Sequence, residues 1–66
     1  MAVARVTKIT ASSKKGFEDA VKTGLSRAAK TVRGISGIEV VSQKAKVENG
    51  KIAEYRVTME MTFILE

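Results

Sequence analysis

The pair Asn49-Gly50 constrains this chain more than any other two residues. A two-residue type I′ turn needs positive φ at both central positions, and Asn-Gly is its strongest short-range signature. Glu48 and Lys51 flank the pair with opposite charges. From Ala53 onward the sequence alternates. Ala53, Tyr55, Val57, Met59, Met61, Phe63 and Leu65 fall on one face of a strand. Ile52, Glu54, Arg56, Thr58, Glu60, Thr62 and Ile64 fall on the other. No helical period fits this run, so residues 37–66 read as one long hairpin.

Pairing Glu48 with Lys51 sets the register. Val40 then lies opposite Met59, Ile38 opposite Met61, and Ser36 opposite Phe63, all on the apolar face. On the other face Gln43 meets Arg56, Val41 meets Thr58, and Gly37 meets Thr62. Glu39 falls opposite Glu60, and like charges directly opposed are destabilising. Alternation breaks at Val40-Val41, which predicts a β-bulge there, with a nearby cation as the alternative.

The upstream half supplies one strand and one helix. Ala2 to Thr10 reads as a strand whose apolar residues do not choose one face, a pattern that fits burial on both faces in an oligomer. Ser13 is the expected N-cap of a helix running to about Val32. Glu18 and Asp19 sit early, and Arg27, Lys30 and Arg33 late, as the helix dipole favours. Phe17, Ala20, Val21, Gly24, Leu25, Ala28 and Val32 form a stripe of mostly small residues that lets a helix lie close on a sheet. Gly34 is the expected terminator. The order is therefore β-α-β-β: one α+β domain over residues 1–66, with a three-stranded antiparallel sheet in order 1-3-2 wrapped around one helix. A third strand of about 14 residues spans roughly 45 Å, and a helix of about 20 spans roughly 30 Å. One helix cannot cover that sheet, so Val41, Val47, Ile52 and Ile64 on its outer face require a partner copy.

Composition sharpens this. A chain of 66 residues buries only about 60% of its unfolded surface. Small domains compensate with disulfides, metals or oligomerisation. With no Cys and no His, disulfides and the usual zinc, copper and haem sites drop out, which leaves assembly. The absence of a signal-like or membrane-length apolar run, together with the lack of Cys, leads us to expect a soluble cytoplasmic protein. The net charge of +5 invites nucleic acid, but the cations are scattered along the chain and no aromatic platform accompanies them. The basic helix residues Lys22, Arg27, Lys30 and Arg33 read first as a solvated face.

The outer sheet face offers a polar patch, with Gln43, Arg56, Thr58, Glu60 and Thr62 around Gly37, that suits a small ligand held against another subunit. Ordinary interface positions would look the same. Glu39 and Glu60 could share a cation through oxygens, although an ion pair with Arg5 or Arg56 explains them more simply. Met59, Met61 and Tyr55 read as core. No nucleophile, base and orienting residue occur at a diagnostic spacing, so the chain does not read as an enzyme.

Several stretches together resemble the dodecin family: residues 26–33 (SRAAKTVR), Ile38-Glu39-Val40-Val41, residues 47–52 (VENGKI), Tyr55-Arg56-Val57-Thr58 and Phe63-Ile64-Leu65-Glu66. The likeness runs over essentially the whole chain. It implies a β-α-β-β subunit in a hollow homododecamer of 23 symmetry. It also implies flavins bound in pairs at two-fold interfaces, for storage rather than catalysis. Flavin-binding members carry a stacking Trp where this chain has Gly37, a ring-binding Gln where it has Arg56, and a basic residue where it has Ile64. The resemblance therefore predicts a cage whose hold on FMN or riboflavin is weakened, with Gly37, Gln43 and Arg56 as the candidate ligand-binding residues. A cage or interaction module without a small ligand is the alternative.

Overall fold

The computed structural model describes residues 3–65. The elements follow the expected order: β1 (Val3–Ser13), α1 (Phe17–Ala29), β2 (Ile35–Glu48) and β3 (Lys51–Leu65). The sheet order is β1-β3-β2, with β3 antiparallel to both neighbours. Asn49 and Gly50 have φ of 53° and 75°, as a type I′ turn requires. The longest alternating segment thus takes the centre, where both edges of its backbone are paired.

Alternation also decides which face is covered. Val57, Met59 and Met61 of β3 are fully buried, together with Ala20 of α1. Opposite them on β1 stand Ala11, Ile9 and Thr7, which settles the inward face of that strand. Val6, on the other face, is 55% exposed. Helix and sheet meet at Gly24, where an added Cβ would come within 2.8 Å of Met59 Cε and 2.9 Å of Ala11 Cβ. Phe17 packs edge-on against Tyr55, ring centroids 5.0 Å apart.

Three local expectations need correction. Ser13 does not cap the helix. It pairs with Tyr55 as the last residue of β1, and Gly16 is the N-cap. Ser12 and Ser13 extend β1 because the long β3 offers Arg56 and Tyr55 as ladder partners. The Ser13 hydroxyl accepts from Lys15 N (2.9 Å) and donates to Asp19 (2.6 Å), so it ties the connecting loop to the first helical turn. The helix also stops at Ala29 rather than Val32. Thr31 and Val32 are β-branched, and both their amides bond back to Ala28 O. Gly34 still turns the chain with φ of 76°, and its carbonyl accepts from Ile64 N at 3.1 Å.

The third correction concerns register. Glu48↔Lys51, Val40↔Met59, Ile38↔Met61 and Gly37↔Thr62 pair as expected. Between them the ladder slips by one residue and slips back. The first shift lies between Lys46 and Val47, where Ala53 on β3 is skipped, and the second lies between Val40 and Ser42. The second is the bulge predicted at Val41. As a result Gln43 faces Val57, Lys44 faces Arg56, and Ser42 faces Thr58. A third shift places Ile35, not Ser36, opposite Phe63. The bulge does not relieve the acidic pair, since Glu39 still stands opposite Glu60.

The coverage deficit is larger than the sequence suggests. A 13-residue helix is about 20 Å long, against about 50 Å for the 15 residues of β3. The helix packs mainly over β1 and β3, so even Val40, on the helix side of β2, is 41% exposed. The subunit measures 51 × 20 × 13 Å, with a radius of gyration of 13.6 Å. A compact chain of this length has about 11 Å.

Candidate functional site

The candidate site is the sheet face away from the helix. Strand pairing arranges it in rows across β1, β3 and β2. Val6, Thr62 and Gly37 form one row, and Lys8, Glu60 and Glu39 the next. Thr10, Thr58 and Ser42 follow, and then Ser12, Arg56 and Lys44. The Thr10 and Thr58 hydroxyls are hydrogen-bonded at 2.9 Å. Ile64, next along β3, is 39% exposed. The face is therefore a band of hydroxyls and charges with apolar residues at one end, the mixed character of an interface rather than of a solvated sheet.

Arg56 is the most strongly engaged side chain here. Its Nε donates to Glu54 Oε1 at 2.6 Å, while its side chain stays 51% exposed. That bond, more than the surrounding charges of Arg56, Lys46 and Lys14, holds the Glu54 carboxyl below its ordinary range. The pairing of Arg56 with Glu39 or Glu60 expected from sequence is not formed. Arg5 points to the helix side, opposite Phe63. Glu60 instead has Lys8 on one flank and Glu39 on the other. No cluster of three or more metal-type side chains occurs among the described residues.

Gly37 and Arg56 lie on this face, but six positions apart along β3, or about 20 Å at strand spacing. Gln43 does not join them, because the paired bulges turn it to the helix side opposite Val57. Nothing lies within 4 Å of where a Gly37 side chain would begin. Beside it opens a shallow hollow of about 590 Å³, lined by Leu25, Val32, Ile35, Gly37 and Ile38 among others. The aromatics are elsewhere: Tyr55 and Phe63 pair with Ser13 and Arg5 on the helix side, and Phe17 belongs to α1. Sequence reasoning did not single out Lys44, which sits directly opposite Arg56. Only the slip at Ala53 brings it there, and no residue pattern announced that slip. No helix of the described residues is long and apolar enough to cross a membrane.

Comparison with known proteins agrees along nearly the whole chain. The dodecin family model matches residues 3–66. A dodecin of Thermus thermophilus is 31% identical over 64 residues, which is 97% of this chain and 93% of the relative. Among solved structures, dodecin from Streptomyces davaonensis superposes with a TM-score of 0.94 at 34% identity, covering 98% of this chain and 96% of the other. Dodecin from Streptomyces coelicolor gives 0.94 at 31%, covering 98% and 93%. Fold and sequence thus converge, and the chain belongs to the dodecin family.

Proposed function

We propose that this chain assembles through its uncovered sheet face into a homododecamer that binds and stores a flavin-type small molecule, FMN or riboflavin, with weakened affinity. The observation that carries the reading is surplus surface in a dodecin-family subunit. A compact chain of this size exposes about 4,100 Å², whereas this one exposes 5087 Å². The surplus of about 1,000 Å² is of the order that specific interfaces bury. The ligand lies where two-fold-related copies meet. That placement lets one ligand touch Gly37 of one copy and Arg56 of another despite their separation within a subunit. The guanidinium keeps N–H groups that Glu54 does not use, and these suit an anionic ligand. Gln43, on the helix side, contributes through the β2 edge rather than the ring face. The protein holds its ligand and carries out no reaction on it, and it works in the cytoplasm.

A second reading, a cage without a small ligand, is favoured by one observation. The uncovered face presents no aromatic side chain to stack on a ring. Titrating FMN, riboflavin and lumichrome into purified protein, with flavin fluorescence as readout and mass in solution measured alongside, separates the two. Quenching with micromolar affinity in an assembly of twelve supports storage. An intact assembly that leaves fluorescence unchanged rejects storage and retains the cage. An Arg56→Ala variant that binds the native ligand as tightly as the parent would remove Arg56 from the site.

A further inference from the structure

The positive charge is concentrated in one stretch of the sequence, and the fold places that stretch in one layer. Residues 14–33, the helix and the loops at its ends, hold six cations (Lys14, Lys15, Lys22, Arg27, Lys30 and Arg33) against two carboxylates, Glu18 and Asp19. Four of the five net positive charges of the chain therefore lie in this one layer. All six cations are exposed. Both carboxylates are already engaged: Glu18 pairs with Lys22 at 3.1 Å, and Asp19 accepts from Ser13 at 2.6 Å. Among the described residues none of the other five cations has an ion-pair partner.

The large exposed hydrophobics, Val3, Val6, Val40, Val41, Val47, Ile52, Ile64 and Leu65, all belong to strands. An assembly formed through the sheet face away from the helix does not require the helix layer to be covered. On that layer Lys22, Ser26 and Lys30 follow each other at i, i+4 spacing, with Thr23 and Arg27 beside them. These five residues line a shallow cleft of about 440 Å³, with three cationic heads and two hydroxyls around it. Cations with interleaved hydroxyl donors match phosphodiester oxygens.

We infer that the helix layer is a sequence-independent binding surface for double-stranded nucleic acid, engaged through the phosphate backbone. The layer presents no exposed aromatic on which unpaired bases could stack, which disfavours single strands. It presents no exposed large apolar residue to insert below lipid headgroups, which disfavours an anionic membrane. The surface is separate from the flavin question. It depends on the assembly reading only for its repetition over several copies.

The test is fluorescence anisotropy of a labelled 30-base-pair DNA duplex of mixed sequence with the full-length protein, from 50 to 200 mM salt. If each helix neutralises about three phosphates, log K falls with a slope near −2.7 against log salt, about a 40-fold loss over that range. Combining Arg27→Glu with Lys30→Glu should weaken binding at 50 mM more than 10-fold and flatten the slope by about two. Lys51→Glu, at the hairpin tip, should leave both unchanged. No binding at 50 mM overturns the inference. So does an equal loss with Lys51→Glu, or tighter binding to phosphatidylserine vesicles or a single strand than to the duplex. Light scattering on the same samples reads the assembly separately. A chain that binds the duplex but stays monomeric faults the assembly reading, and an intact assembly that ignores the duplex faults this one.

Discussion

Gly37→Trp should raise flavin affinity, and the size of the effect follows from the site. Nothing lies within 4 Å of a Cβ at Gly37. A left-handed φ among the described glycines is confined to Gly34 and Gly50, so a bulky residue fits the backbone at 37, and aromatics suit strands. A buried tryptophan removes about 150–250 Å² from water. About 100 Å² of that against a flavin ring is worth roughly 2.5 kcal/mol at about 25 cal/mol/Å². Stacking adds about 0.5–1.5 kcal/mol, and ordering the side chain costs about 0.5–1.5 kcal/mol. The net gain of roughly 1.5–3.5 kcal/mol corresponds to an affinity about 10- to 300-fold tighter. The assay is quenching of FMN and riboflavin fluorescence, with light scattering to show that the variant assembles like the parent. Unchanged affinity in an intact assembly would refute the placement of the ligand against residue 37.

Three further outcomes are expected. Gly24→Val should lower the thermal midpoint at fixed protein concentration, and more than Gly24→Ala. The new Cβ meets Met59 Cε at 2.8 Å and Ala11 Cβ at 2.9 Å. Overpacking of about 1–3 kcal/mol outweighs the roughly 1 kcal/mol that alanine gains in helix propensity. A Gly24→Val midpoint at or above the parent's would show that the helix can retreat from the sheet. Val6→Glu, on the uncovered face, should shift the mass in solution from the assembly towards single subunits, and an unshifted mass would place the interface elsewhere. Glu54 carries the acid-side prediction. The hydrogen bond from Arg56 holds its carboxyl below the ordinary carboxylate range in the folded state, so that stabilisation is fully present above the ordinary range and lost as pH falls through the folded pKa. Glu54→Gln should flatten that limb of the stability curve. An unchanged acid limb would show that the bond with Arg56 contributes nothing to stability.

The hairpin was legible because its signals are local. Asn49-Gly50 sets the turn chemistry, and period-two alternation assigns Val57, Met59 and Met61 to the core. Gly34 does take a left-handed φ, but it stands four residues past the C-cap Lys30 and so does not terminate the helix as expected. What failed were positions where one local rule met a longer-range demand. Ser13 has the chemistry of a cap, yet the length of β3 draws it into the ladder opposite Tyr55. Val32 continues the apolar stripe but lies beyond the helix, where the last turn tightens as Thr31 N bonds to Ala28 O three residues back. At the candidate site the bulge at Val41 was visible as broken alternation, whereas the slip at Ala53 broke no pattern. Together the two move Gln43 to the helix side and bring Lys44 beside Arg56. A face assignment made from alternation is therefore secure only between bulges.

The same geometry explains why the uncovered face is neither a plain core nor a plain surface. Among the described residues four side chains are fully buried, few for a domain of this size standing alone, which fits the proposed covering of the face opposite the helix. Were it purely apolar, the free subunit would aggregate through its long exposed strands. Instead Thr10 and Thr58 satisfy each other and Arg56 is tied to Glu54. Polar groups that are already partnered can be buried at modest cost, and unpartnered ones cannot. The acidic repulsion in this band, Glu39 opposite Glu60, is kept in register by the bulge at Val41 rather than relieved by it, and Lys44 opposite Arg56 adds a basic one. Burying the face against a second copy strengthens the acidic repulsion unless a cation from the partner or from solution meets it. Replacing Glu39 by Gln should therefore strengthen the assembly, read as a lower dissociation concentration. A higher one would mean that a cation already bridges the two carboxylates.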